Sequence, residues 1–173
     1  MPSRIDQFCF VCNNHFCNYQ QGNAVSEDAL DLETFLPYRL NRLAEAVGRR
    51  FSRVYKERYG LTRPEWRLLA TLGQHGTMTA TDICAHSSMH KTKVSRAVVS
   101  LEQRRWLVRQ THRGDRRIEN LSLTKAGIAV YREMVPVARE FESRLLSALA
   151  PKERSAAAAG LEALERLNRS QIG

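Results

Sequence analysis

No stretch of this sequence stays apolar for the roughly 18 residues that a membrane crossing requires, which excludes a spanning helix. The N-terminus lacks the basic-then-apolar pattern of a secretory signal, so a cytoplasmic protein is expected. Its five prolines and nine glycines are scattered rather than clustered, which excludes collagen-like and low-complexity classes. Enzymatic constellations are missing as well: there is no Gly-rich phosphate loop, no His-Glu-x-x-His and no Gly-x-Ser-x-Gly. His75, His86, His90 and His112 stand without a paired nucleophile, so no catalytic activity and no cofactor are expected. What remains is ordinary globular composition, 43% hydrophobic and 26% charged over 173 residues, enough for one domain with an appended tail.

Charge is the first positive signal. Lys and Arg total 27 against 18 Asp and Glu, for a net charge of +9. The first 36 residues oppose that trend, with Arg4 alone against Asp6, Glu27, Asp28, Asp31 and Glu33. The densest basic segment is 86–117, where Lys91, Lys93, Arg96, Arg104, Arg105, Arg109, Arg113, Arg116 and Arg117 face only Glu102 and Asp115. Such a segment points to a polyanion, nucleic acid first and an anionic membrane surface second; a solvated basic face is the plainer alternative.

Periodicity then supplies an architecture. A first helix is expected near Pro37, with the apolar stripe Leu40, Leu43, Ala44, Val47, Phe51 and Val54, stopped by Gly60. Thr62 with Glu65 is a capping box opening a short helix that presents Trp66, Leu69 and Leu72 and is expected to end at Gly73. Thr79 with Asp82 repeats the pattern before Ile83 and Cys84. After the polar break His86-Ser87-Ser88, a third helix places Val94, Ala97, Val98 and Leu101 on one face and Thr92, Arg96 and Gln103 on the other, with Lys93 and Ser95 on the flanks. Two short helices around a tight polar turn form a helix-turn-helix pattern. A helix entering the DNA major groove needs slim first turns carrying donors for base edges and phosphates, as here. An ordinary helical hairpin with a polar outer face is the alternative.

Residues 106–111 read as a strand, 112–117 as a turn and 118–123 as the returning strand, with Leu121 and Leu123 on one face. A hairpin with arginines at its tip suits a narrow, electronegative minor groove, and Asp115 is placed to pair with Arg117 and stiffen it. Thr124 is an expected N-cap for a long helix through Ile128, Tyr131, Val135, Ala138, Phe141, Leu145 and Leu149, kinked at Pro136. Pro151 opens a last helix with Leu161, Leu164 and Leu167. These flanking helices need a partner for their apolar faces, and a second copy of the chain supplies one.

Residues 61–124 resemble the MarR family of winged helix-turn-helix regulators. Lys91-Thr92-Lys93-Val94-Ser95-Arg96-Ala97-Val98 resembles the family's recognition helix, and Asp115-Arg116-Arg117 followed by Leu121, Leu123 and Thr124 resembles its wing. The resemblance extends over most of residues 37–168. It implies a mainly α fold with a small β-hairpin: an acidic, cysteine-containing, poorly ordered extension (1–35), an N-terminal helix contributing to dimerisation (36–60), a winged helix-turn-helix DNA-binding lobe (61–124) and C-terminal dimerisation helices (125–170). It also implies a homodimer on a pseudo-palindromic double-stranded site, usually a repressor, controlled by a small, often aromatic effector or by thiol oxidation. Ser87, Ser88, His90, Lys91, Thr92, Lys93, Ser95 and Arg96 would then face DNA, with Arg117 in the minor groove supported by Arg113 and Arg116. An effector would sit where the first, second and long fifth helices converge; Trp66 is a candidate there and equally a core residue. The sequence departs from the family at Arg105, where glycine is common, so either the arginine takes a C-cap conformation at some cost or the helix ends differently.

Cys9, Cys12, His15 and Cys17 form a soft ligand set suited to zinc, but all four lie within nine positions, too tight for an ordinary structural site. A reversible disulfide is a second use, making a redox- or metal-responsive regulator the alternative function; incidental cysteines in an extension are the plainer reading. Cys84 is expected to be a small buried hydrophobe. A winged-helix module that binds protein instead of DNA is the other alternative.

Overall fold

The computed structural model describes residues 29–111 and 119–170. The chain divides into two units, residues 1–42 and 43–173. In the first, Asp31 organises a turn: its carboxylate accepts from the Glu33 N–H at 3.0 Å, and its carbonyl accepts from the Thr34 hydroxyl at 3.2 Å. Arg42 reaches back to Glu33 at 2.6 Å. Helix α1 (Leu36–Tyr59) begins in this unit and ends in the second.

The second unit continues with α2 (Arg63–His75), β1 (Met78–Thr79), α3 (Ala80–Ser87), α4 (Lys91–Gln103), β2 (Leu107–Thr111), β3 (Glu119–Leu123), α5 (Lys125–Ser147) and α6 (Pro151–Ser170). The result is mainly helical with a small antiparallel sheet. The hairpin is joined by a third strand that the sequence did not disclose, giving the order β1-β3-β2 with Met78 opposite Leu121 and Leu107 opposite Leu123. Two residues are too few to show a period, and Thr79 was legible only as a cap. It serves as both: in register with Asn120, it also accepts the Asp82 N–H on its hydroxyl at 3.2 Å. Strand β2, the first of the hairpin, begins at Leu107, one residue later than expected at Trp106.

The core forms where α2, α3 and α4 meet β2, β3 and α5. Leu68, Leu69 and Leu72 from α2, Ile83 from α3, and Val94, Ala97, Val98 and Leu101 from α4 pack with Leu107, Leu121 and Met134. A buried Leu or Val of this kind contributes about 1.5–3 kcal/mol relative to exposure. On α1 the stripe behaves differently. Phe51 and Tyr55 turn to the core, with Tyr55 only 1% exposed, whereas Leu43 is 61% exposed.

Helix boundaries follow local chemistry, with one correction. Helix α2 passes through Gly73 to His75 and stops at Gly76, whose positive φ of 77° with ψ of −133° is a conformation that glycine alone adopts readily. Gly73 serves packing instead: a Cβ there would lie 2.4 Å from the Tyr131 ring, so the missing side chain lets α5 cross. Gly60 ends α1 as expected, and Thr124 caps α5 by accepting the Gly127 N–H at 3.1 Å. Helix α5 runs through Pro136. No helix among the described residues is long and apolar enough to cross a membrane.

Candidate nucleic-acid interface

The turn between α3 and α4 is built from backbone constraints. Ser88 takes a left-handed φ of 51°, Met89 is buried beneath it, and His90 is the N-cap of α4, its Nδ1 accepting the Thr92 N–H at 3.3 Å. From this start α4 divides cleanly. Val94, Ala97, Val98 and Leu101 are buried; Lys91, Thr92, Lys93, Ser95 and Arg96 are exposed, as are Ser88 and His90. Lys91, Lys93 and Arg96 carry no ion pair among the described residues. Their charge is therefore presented to solvent on one slim face, as a phosphate-contacting helix requires.

Ser87 departs from its expected place among the DNA-facing residues. It is only 6% exposed, its hydroxyl donates to the Ile83 carbonyl, and its own carbonyl accepts from Arg67. It supports the turn from within, because it is the last residue of α3 rather than part of the loop.

Two later arginines of the same basic segment, Arg104 and Arg109, are committed to internal partners. Arg104 donates to the carbonyls of Tyr59 at 2.8 Å and Gly60 at 2.9 Å, satisfying the end of α1, and lies 5.2 Å from the Trp106 ring centroid. Arg109 is held by both oxygens of Glu102 at 2.8 and 2.9 Å and by Glu119 at 3.0 Å. Its hydrogen bonds to Glu102 and then to Glu119 raise its pKa, so the guanidinium stays charged. This clamp ties the end of α4 to both strands of the β2–β3 hairpin. Both arginines add to the basic density of segment 86–117, yet the partners of Arg104 lie 44 and 45 residues away and those of Arg109 lie 7 and 10 away, beyond any local pattern.

Arg105 adopts φ 61°. Its N–H donates to Glu102 and that of Trp106 to Leu101, the paired bonds of a Schellman termination with arginine where glycine is usual. Glu65 supports α4 from behind. Burial pushes its pKa up, but hydrogen bonds from Ser100 and Thr62 and the nearby Arg104 outweigh burial, so the carboxyl is held below its usual range.

Arg113, Asp115, Arg116 and Arg117 of the hairpin tip, like His112, lie outside the described residues, as do Cys9, Cys12, His15 and Cys17. Cys84 is partly buried against the core. Where α1, α2 and α5 meet, Phe51, Tyr55, Trp66 and Phe141 fill the space ring against ring, with centroids 4.9–5.8 Å apart, so Trp66 is a packing residue. Two clefts lie nearby. One of about 360 Å³ is lined by Gly48, Arg49, Ser52, Tyr55, Lys56 and Arg63 among others. One of about 230 Å³ opens beside the start of α4, between Arg63, Arg67, His90 and Lys93.

Comparison with known proteins agrees with this geometry. Residues 59–118 match the model of the MarR family. The HTH-type transcriptional regulator PecS of Dickeya dadantii is 29% identical over 130 residues, spanning 73% of this chain and 78% of PecS. The crystal structure of the MarR family transcriptional regulator SPO1453 from Silicibacter pomeroyi DSS-3 is similar at a TM-score of 0.70 and 29% identity, covering 80% of this chain and 98% of that one. Bordetella bronchiseptica BpsR, whose DNA binding is regulated by 6-hydroxynicotinic acid, has a TM-score of 0.68 over 79% of this chain and 97% of its own. At 23% identity that likeness speaks for the fold alone.

Proposed function

We propose, from the premise that this chain belongs to the MarR family of winged helix-turn-helix transcriptional regulators, that it is a cytoplasmic homodimeric repressor released from its operator by a small aromatic effector. The relatives named above are transcriptional regulators rather than enzymes. The observation that carries the DNA-binding part is the two-faced α4: four buried apolar residues fix its orientation, and Lys91, Thr92, Lys93, Ser95 and Arg96 stand exposed opposite them. Ser88 and His90 extend this face, and in this reading Arg117 enters the adjacent minor groove with Arg113 and Arg116 supporting it.

Dimerisation is supported by apolar side chains left in solvent. In the first unit Leu30, Leu36 and Leu40 are 64%, 49% and 37% exposed; in the second, Leu43 and Leu161 are 61% and 56% exposed. A second copy covers such residues, and a two-fold axis sets the recognition helices about 34 Å apart, one turn of a pseudo-palindromic duplex. The 360 Å³ cleft is large enough for a small ring, and Arg49 and Lys56 suit an aromatic carboxylate, Arg63 being paired with Glu45 at 2.6 Å on the same wall. Such an effector releases DNA only by binding the DNA-incompetent arrangement more tightly than the competent one.

The test is fluorescence anisotropy on duplex DNA from the region upstream of the protein's own gene, over a salt series. Affinity is expected to fall steeply with salt as counterions are released at each phosphate contact. Arg117→Ala is expected to weaken binding while the dimer persists in analytical ultracentrifugation. A salt-independent signal, or the same affinity for any duplex, would sink the reading.

A further inference from the structure

Two histidines that stand 11 positions apart, each solitary in the sequence, meet in the fold. His75 is the last residue of α2 and His86 lies in the last turn of α3. Their Nε2 atoms are 3.2 Å apart and their ring centroids 4.4 Å apart, with the planes at 71°. Both side chains are exposed. DNA binding, as read above, uses neither.

We propose that His75 and His86 form a two-imidazole site for a divalent first-row transition metal such as zinc, nickel or copper. Two imidazole nitrogens on one tetrahedral ion at about 2.0–2.1 Å lie about 3.3–3.4 Å apart, which is the observed separation within a small side-chain adjustment. Imidazole suits these metals. The backbone favours a cation at the same point. Both histidines stand at helix C-termini, where the carbonyl ends of the peptide dipoles leave partial negative charge, so two helices converge their negative ends on the site. No third His, Cys, Asp or Glu joins them among the described residues, so water completes the coordination and the site is open. The bound ion fastens the end of α3 to the end of α2, two residues before the left-handed turn at Ser88 that leads into α4.

The experiment uses the full chain and nickel chloride, read by thermal unfolding. At roughly ten times the dissociation constant the melting temperature rises by about 3 °C or more. His75→Gln and His86→Gln each abolish that rise, because one imidazole does not chelate. His90→Gln and a Cys9, Cys12, Cys17→Ser triple variant keep it. Both residues are exposed, so the metal-free melting temperature of the two single variants stays near that of the parent. Imidazole NMR provides a second readout: paramagnetic nickel broadens the His75 and His86 resonances first. Absence of a nickel-dependent rise, its survival in either single variant, its loss in the cysteine variant, or broadening confined to other histidines overturns the proposal. The last two outcomes would leave the pair as a plain imidazole–imidazole hydrogen bond. None of these results depends on whether the protein binds DNA.

Discussion

The two ends of α4 carry similar arginines and lysines with opposite employment. Over its first two turns, Lys91, Lys93 and Arg96 face solvent without acidic partners among the described residues. Just past its other end, Arg104 closes the carbonyl end of α1, and Arg109 is held between Glu102 and Glu119. Charge density along the sequence is therefore a poor measure of charge offered to a ligand. The first group is built to contact a polyanion, the second to hold the lobe that presents it.

Removing charge from each end separates these roles. Lys93→Ala with Arg96→Ala should cost operator affinity about tenfold or more per residue and flatten its salt dependence, while thermal unfolding stays within a degree or two of the parent. Equal loss of stability would mean that this half of the helix is structural too. Arg104→Ala should do the reverse. Losing two charge-assisted bonds to the Tyr59 and Gly60 carbonyls costs about 2 kcal/mol and lowers the melting temperature by several degrees, with affinity per folded dimer unchanged in anisotropy.

Glu65 sharpens the contrast through pH. Its carboxyl is held below the usual glutamate range in the fold, so its ionised form contributes stability at neutral pH. That contribution is lost as pH falls through the ordinary glutamate value of about 4.3 towards the lower folded one. The stability difference between the parent and Glu65→Gln, from urea unfolding, should be largest near neutrality and narrow in acid. The smallest effect concerns Arg105. Glycine tolerates φ 61° without the clash of a Cβ, so Arg105→Gly should stabilise by about 0.5–1 kcal/mol after allowing for its more flexible unfolded chain. A loss of stability would show that the arginine side chain has a partner outside the described residues.

Much of the lobe was legible because its signals are local. The α4 stripe Val94, Ala97, Val98 and Leu101 is buried as its spacing indicates, and Thr79 and Thr124 cap the helices they precede. Arg105 takes the left-handed conformation, one of the two outcomes that the family resemblance left open at that position. Features that escaped notice join distant positions. Gly73 looked like a terminator because its reason for being glycine, the Tyr131 ring, lies 58 residues away. Ser87 looked like loop until α3 was seen to include it, with Arg67 on its carbonyl. His75 and His86 looked solitary because α2 and α3 must first pack together.

Chain order alone thus determined the helices, their caps and the cationic outer face of α4, since each depends on neighbours within a turn or two, where backbone geometry dictates what meets what. Which arginines stay available, which serine points inward and which histidines touch were decided only by tertiary packing. Those outcomes depend on distances between segments that no local period encodes.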